Sequence, residues 1–255
     1  MISKDPKSAE VIRPILRGRD IKKYAIDFQD KYLITTFPSK SLHIDDYPAV
    51  KEWLENGDWV KIKTKGNPPT PVGSGKLRLE QAGSQYEFAG VKFKSRKKTG
   101  NKWFEIQDSI GYWEDFYSQK IIYPNMTKYL PFYFDNYNYM TNQKAFIITG
   151  NHLATLLAFL NSSLFKFVYV DSFPELQGGT RELSKVFFEK IYIKQLSEAE
   201  DLKFKEFILA IQKLKEDGKD SSNLEYQLDN MVFELYSISD EERKIIEETV
   251  SPLNI

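Results

Sequence analysis

The sequence has no cysteine among its 255 residues. Disulfide staples and thiolate metal sites are therefore excluded, and the chain suits a reducing compartment. It has only two histidines, His43 and His152, far apart in sequence, and neither pairs with a serine and a carboxylate in an activating arrangement. It has no net charge, because 36 Lys and Arg balance 36 Asp and Glu. The whole-chain balance thus gives no argument for nucleic acid. It also lacks an apolar run of the ~20 residues needed to span a bilayer. The longest candidate, 153–170, is broken by Asn161, Ser162, Ser163 and Lys166. The first residues, Met1-Ile2-Ser3-Lys4-Asp5-Pro6, carry no apolar signal core. These absences give the expectation of a cytoplasmic protein with no membrane partner.

Catalytic motifs are also missing. Gly73-Ser74-Gly75-Lys76 has a fragment of phosphate-loop composition, but Leu77 stands where Ser or Thr is needed to reach a metal, and prolines precede it. Asn67-Pro68-Pro69 has the first residues of an amino-methyltransferase motif, yet Thr70 replaces the aromatic that stacks on a flipped base. Asp171, Glu182 and Lys185 come nearest to a metal-dependent nuclease set, but Glu182 and Lys185 are three apart rather than two. The expectation is a chain with no catalytic, cofactor or metal site.

What is present is aromatic side chains, 15% of the chain, and charge that is unevenly placed. Short β-rich runs at 31–37, 120–123, 130–134, 145–149 and 190–194 stop at prolines or turn residues. Helical spacing marks 49–54, 152–161 with Asn151 as its cap, 197–215 with a Ser197/Glu200 capping box, 224–235, and 240–249 capped by Ser239. In 197–215 the apolar face includes Leu202, Phe204, Phe207, Ile208, Ile211 and Leu214. The pattern predicts an α+β fold with a mixed, largely antiparallel sheet and packed helices, followed by a helical C-terminal piece. The expected division is a recognition domain over 8–195 and a helical subdomain over 196–251. Residues 57–90, rich in proline and glycine, are expected to form a long loop or insertion.

Three polar segments hold the candidate contacts. In 91–102, Lys92, Lys94, Arg96, Lys97, Lys98 and Lys102 occur with no acid among them, and Asn101 and Trp103 lie beside them. Such a run supplies phosphate affinity through counterion release, although a solvated loop has the same composition. Asn125-Met126-Thr127-Lys128 follows a strand that stops at Pro124. Gln177-Gly178-Gly179-Thr180-Arg181 carries paired glycines that let backbone approach a ligand. Lys128 joins the phosphate candidates. Arg96, Asn101, Asn125, Gln177 and Arg181 have the right donors and acceptors for base edges. The alternative for Arg181 is an ion pair with Glu175 or Glu182.

The ordered set of motifs resembles the C-terminal specificity region of Type IIG restriction–modification enzymes and of Taq-type adenine methyltransferases. The resemblance begins at Ile12-Arg13-Pro14-Ile15-Leu16-Arg17-Gly18-Arg19-Asp20-Ile21 and continues through Tyr47-Pro48-Ala49-Val50. It is closest over Lys102-Trp103-Phe104-Glu105-Ile106-Gln107-Asp108. Lys120-Ile121-Ile122-Tyr123-Pro124, 157–162 and 228–236 follow in order. The resemblance implies a module that binds double-stranded DNA and presents an adenine to a methyltransferase domain of the same parent chain. That parent would use S-adenosylmethionine, and Mg2+ if it also cuts, whereas this segment would need neither. Arg13, Arg17 and Arg19 either touch phosphate or pair with acids such as Asp20 to lock the module to its neighbour. The rival readings are a protein–protein interaction module and a self-contained DNA-modifying enzyme.

Overall fold

The computed structural model describes residues 1–56, 85–88, 91–94, 99–194 and 196–251, and describes only the backbone of 85–88, 91–94, Asp171 and Gln177. Among these residues the strands are β1 (Ile12–Leu16), β2 (Ile21–Lys22), β3 (Ala25–Ile26), β4 (Tyr32–Ile34), β5 (Gln85–Phe88) and β6 (Val91–Lys94). They continue with β7 (Lys120–Pro124), β8 (Met126–Thr127), β9 (Tyr133–Asp135), β10 (Met140–Thr141), β11 (Ala145–Ile148) and β12 (Arg181–Glu182). The helices are α1 (Pro48–Asn56), α2 (Leu153–Leu160), α3 (Ser163–Ser172), α4 (Lys185–Phe188), α5 (Glu198–Glu216), α6 (Ser222–Leu235) and α7 (Asp240–Val250). The sheets are small and mostly antiparallel, so the chain is α+β.

Two compact units share the chain: Met1–Arg13 with Tyr32–Trp113, and Pro14–Lys31 with Glu114–Ile255. The first has a small core of Val11, Ile44, Tyr47, Val50 and Phe104, with Trp103 packed against it. Its α1 starts on Pro48, where the missing N–H would have had no helical partner anyway. Thr36 Oγ1 donates to the Phe104 carbonyl at 2.7 Å, and the Ile106 N–H donates back to the Thr36 carbonyl at 2.9 Å. Strands β5 and β6 pair antiparallel, from Gln85 opposite Lys94 to Phe88 opposite Val91. Part of the expected 57–90 loop is therefore half of a hairpin. Tyr86, Phe88, Val91 and Phe93 supply the aromatic and β-branched residues that strands favour. Residues 57–84, with the phosphate-loop-like and Asn-Pro-Pro segments, lie outside the described residues.

The second unit is organised around β7, whose five residues are all buried. It pairs antiparallel with β11 on one side, Ile121 opposite Ile148, and with β9 on the other, Lys120 opposite Asp135. Successive side chains leave the strand on opposite faces. Ile121 and Tyr123 accordingly join the main core, while Ile122 joins a smaller cluster with Leu16, Ile21, Tyr133 and Ala145. Phe165 lies at the centre of the main core, with the rings of Phe132, Phe159, Tyr169, Phe173 and Phe188 between 5.3 and 6.4 Å away. Such ring pairs add stabilisation beyond their buried area. Helices α5, α6 and α7 close this same core with Phe204, Ile208, Leu228, Val232 and Ile246.

The polar residues that interrupt 153–170 have structural duties. The helix axis turns by 64° between α2 and α3. At the turn the Asn161 amide donates to the Phe132 carbonyl at 2.9 Å and accepts from the Phe132 N–H at 3.3 Å. Ser162 then caps α3 by accepting from the Phe165 N–H. Among the described residues no single helix is long and apolar enough to cross a membrane. The capping boxes at Ser197/Glu200 and Ser239/Glu242 both form. Helix α5 ends on Gly218, whose φ of +67° suits a residue without a Cβ; Lys219 N–H reaches back to the Leu214 carbonyl, closing the last turn.

Four local expectations need correction. Residues 190–194 are not a strand, because the Lys194 N–H goes to the Tyr236 hydroxyl rather than to a neighbouring strand. Asn151 does not cap α2; His152 holds that position in a left-handed conformation without a side-chain cap. Leu202 is 54% exposed although it shares the spacing of the buried face, since the core under α5 begins at Phe204. Helix α3 was not marked by the spacing, because its apolar residues surround the helix rather than follow one stripe.

A charge pair sits inside the second unit. Lys120 and Asp135 side chains are both wholly buried, with Nζ 2.5 Å from Oδ2. The ammonium also donates to the Phe116 carbonyl at 2.7 Å, and the carboxylate accepts from the Tyr137 and Tyr139 N–H groups at 2.7 and 3.0 Å. Burial holds the Lys120 ammonium below the usual lysine range, against the pull of Asp135.

Two stability predictions follow from this packing. Removing one partner of a buried pair strands the other charge, at about 3–5 kcal/mol. Lys120→Met should fall in that range, and Asp135→Ala should exceed it by also stranding two N–H groups; urea titration of each variant measures this, and a cheaper Asp135→Ala would show that water reaches the ammonium. Leu228 is 1% exposed, so Leu228→Ala should cost about 2–5 kcal/mol, and the partly buried Met231→Ala should cost less. Equal losses in the same titration would mean that α6 is packed on both sides.

Candidate nucleic-acid interface

The opening motif makes one wall of a groove in the second unit. After β1 the Arg17 guanidinium clasps Asp20, with Nη2 to Oδ1 at 2.7 Å and Nε to Oδ2 at 2.9 Å. The Arg17 N–H donates to the same carboxylate at 2.9 Å and closes a single 3-10 turn over Gly18–Asp20. Burial pushes the Asp20 carboxyl up, but the bonds and charge of Arg17 outweigh it and leave it below its usual range. Gly18 is required here, because a Cβ would meet the Lys144 carbonyl oxygen at 2.5 Å. Arg19 and Lys144 both line the groove that this close approach helps to shape. Of the two readings of the arginines, Arg17 pairs with Asp20 inside its own turn, while Arg19 is exposed on the groove.

The second wall comes from the end of β7. Pro124 leads into Asn125, whose N–H donates to the Lys144 carbonyl at 3.0 Å and whose carbonyl accepts from the Leu183 N–H at 2.8 Å. Strand β8 then pairs antiparallel with β12, Thr127 opposite Arg181 and Met126 opposite Glu182. Two of the three candidate segments, 125–128 and 177–181, therefore meet as one small sheet. The helical wall is Ser162, Ser163 and Lys166 at the start of α3.

The groove has a volume of about 950 Å³. Its lining carries Arg19, Lys22, Lys23, Lys144 and Lys166 against one carboxylate, Glu247. Lys23 is engaged by Glu225 at 3.2 Å. Lys166 is held below the usual lysine range, first by burial and then by the charge of Lys23. A cation in that position gains from any anion that enters, because the anion offsets both penalties. Cations focused in a concave surface attract polyanions more strongly than the same charges spread over a convex one.

The twelve candidate residues have different placements. Lys128 is exposed beside the groove. Asn125 lines it. Arg181 turns inward: it donates to the Phe173 carbonyl, lies 3.3 Å from Glu175 and stacks 5.5 Å over the Tyr169 ring. Of its two readings the structure shows the ion pair with Glu175. Gln177 has its backbone in a short 3-10 turn. The first segment belongs to the other unit. There Asn101 donates both amide hydrogens to the Ile106 and Gln107 carbonyls at 2.7 and 3.1 Å, which ties a turn and leaves no donor for a base. Trp103 packs on the core edge, 5.7 Å from Phe104, and the Lys102 ammonium lies 5.7 Å over the Phe104 ring. Lys92 and Lys94 are placed by backbone only, on β6, and Arg96, Lys97 and Lys98 lie outside the described residues.

Lys22, Lys23, Lys144 and Lys166 were not among the candidates. Each stands alone or in a pair, in segments up to 144 residues apart (22 to 166), so no local run marks them. Gly18 stands in the opening motif, but only the structure shows that its missing Cβ makes room for the Lys144 carbonyl. Among the described residues no group of three or more His, Asp or Glu side chains is placed to hold a metal ion.

A family model, the TaqI-like C-terminal specificity domain, matches residues 75–206. No curated protein matches the chain. The matched residues run from the β5–β6 hairpin through the central strand β7, the groove wall at 125–128 with the 177–181 segment that meets it, and the helical wall at 162–166, and into α5; the Gly18 wall lies outside them. They make up more than half of the 255 residues, and on that ground the chain belongs to the TaqI-like C-terminal specificity domain family.

Proposed function

We propose that this chain is the duplex-DNA reader of a restriction–modification enzyme and that the groove between the Gly18 turn, Asn125 and the start of α3 lies against the phosphate backbone. Family membership supports a DNA-recognition role in restriction–modification systems, and a specificity domain is not itself catalytic. The observation that carries the placement is the lining of five cations against one carboxylate on a chain with no net charge. In this reading Lys22, Lys144 and Arg19 hold phosphates, and the strand end at 125–128 faces the bases. The module then presents an adenine to a methyltransferase domain of the parent chain, which takes its methyl group from S-adenosylmethionine. Where the parent also cleaves, a nuclease domain supplies the Mg2+ chemistry.

Phosphate contacts are counted by salt dependence. Each one contributes a slope of roughly 0.9 in log binding constant against log salt on duplex DNA. Lys22→Ala with Lys144→Ala should therefore flatten the slope by roughly 1.8 on a random-sequence duplex. Arg181→Ala should leave the slope alone and lower the melting temperature, because that guanidinium holds Phe173 and Glu175. An unchanged slope in the double variant, with binding intact, would move the phosphates off this groove. No binding to any duplex at low salt would leave a protein-interaction module as the surviving reading.

A further inference from the structure

We infer that Asn125 reads the edge of an adenine base from within this groove, an inference that rests on the duplex-DNA reading above. The backbone of Asn125 is fixed from both sides, its N–H by the Lys144 carbonyl and its carbonyl by the Leu183 N–H. Its side-chain amide is tied to nothing. The Oδ1 atom is buried without a hydrogen-bond partner, and the amide nitrogen makes no hydrogen bond among the described residues. Asn161 and Asn101 behave differently. Asn161 uses both ends of its amide on Phe132, and Asn101 spends both hydrogens on two carbonyls. The second buried orphan, Asn230 Oδ1, is on α6 and is not part of the groove lining.

An acceptor that is out of water and has no donor destabilises the fold as it stands, and native proteins keep such groups rarely. A ligand donor removes that cost. The last torsion of asparagine is broad, so the amide can turn its oxygen into the groove that the residue lines while the backbone stays fixed. With the backbone locked, only side-chain torsions remain to be set when the ligand arrives, which keeps the ordering cost of reading low. The surroundings suit a base. Met126 and Tyr129, 51% and 59% exposed, offer apolar surface next to Asn125, and the cations Arg19 and Lys144 stand where phosphates would flank it.

The amide also selects the base. It offers one acceptor and donors side by side, which match the N6 donor and N7 acceptor of adenine. Guanine presents two acceptors on that edge and would leave Oδ1 facing another oxygen. Cytosine presents a single donor and would leave the amide nitrogen unmatched.

The test is selection from a randomised duplex library by the full chain, with Asn125→Leu and Asn125→Asp beside the wild type. The wild type should fix adenine at one position of the selected set. Asn125→Leu should lose that preference by roughly 5- to 150-fold and keep the others, with a melting temperature no lower than wild type. Asn125→Asp, which has acceptors only, should move the same position toward cytosine, a gain that a misfolded chain cannot produce. Asn125→Leu that keeps every preference, or loses affinity equally for all sequences, overturns the inference. A wild type that binds duplex without selecting overturns it and leaves the DNA reading standing. A wild type that binds no duplex overturns both.

Discussion

The second unit depends on a charge pair whose side chains are wholly buried. Lys120 starts the central strand and Asp135 ends its neighbour, and their side chains meet at full burial. Two charges in a low-dielectric interior are tolerable only when geometry and extra hydrogen bonds satisfy them together. Here the Phe116 carbonyl takes up the ammonium, and the Tyr137 and Tyr139 N–H groups take up the carboxylate. The pair thereby fixes the register of β7 against β9, because a slip of one residue would bury both charges unpaired. With β7 in register, Pro124 and Asn125 arrive opposite Ala145 and Lys144, and the groove follows from there.

A neutral chain makes a basic groove by placement. The acids are not absent; they are used elsewhere. Glu200 and Glu242 complete capping boxes, Asp20 closes the Arg17 turn, Asp135 balances Lys120, and Glu225 takes Lys215 and Lys23. What is left at the groove is cationic. The glycine at position 18 matters as much as the charges, because only a residue without a Cβ lets the turn approach the Lys144 carbonyl. The same economy applies to aromatic residues. Many of them are used up in a ring cluster around Phe165, while Tyr112, Tyr129 and Tyr137 stay exposed.

Much of the helical part was legible in the sequence. Ser197 with Glu200, Ser239 and Gly218 announce helix ends by local chemistry, and local chemistry is what the structure uses there. Strand positions at 120–124 and 145–148 were legible for a similar reason, since Pro124 and Gly150 punctuate them. The alternation at 190–194 misled because a strand needs a neighbouring edge, and no periodicity within five residues reports whether one exists. Leu202 misled because helical spacing defines a face but not how far the core extends beneath it.

The candidate site divides along the same line. By itself the sequence determined the α+β class, the polar segments at 125–128 and 177–181, and a resemblance that the family match over 75–206 bears out. Only the tertiary structure decided that these two segments pair, that Arg181 turns inward to Glu175, that Asn101 ties its own turn, and that Asn125 keeps an unpaired amide. Only it gathered Arg19, Lys22, Lys144 and Lys166. The physical reason is range. Caps, turns and proline stops act over three or four residues and leave their mark in the sequence, whereas a groove is made by backbone approaches between segments more than a hundred residues apart, and nothing near Lys144 in the chain records that Gly18 lies against it.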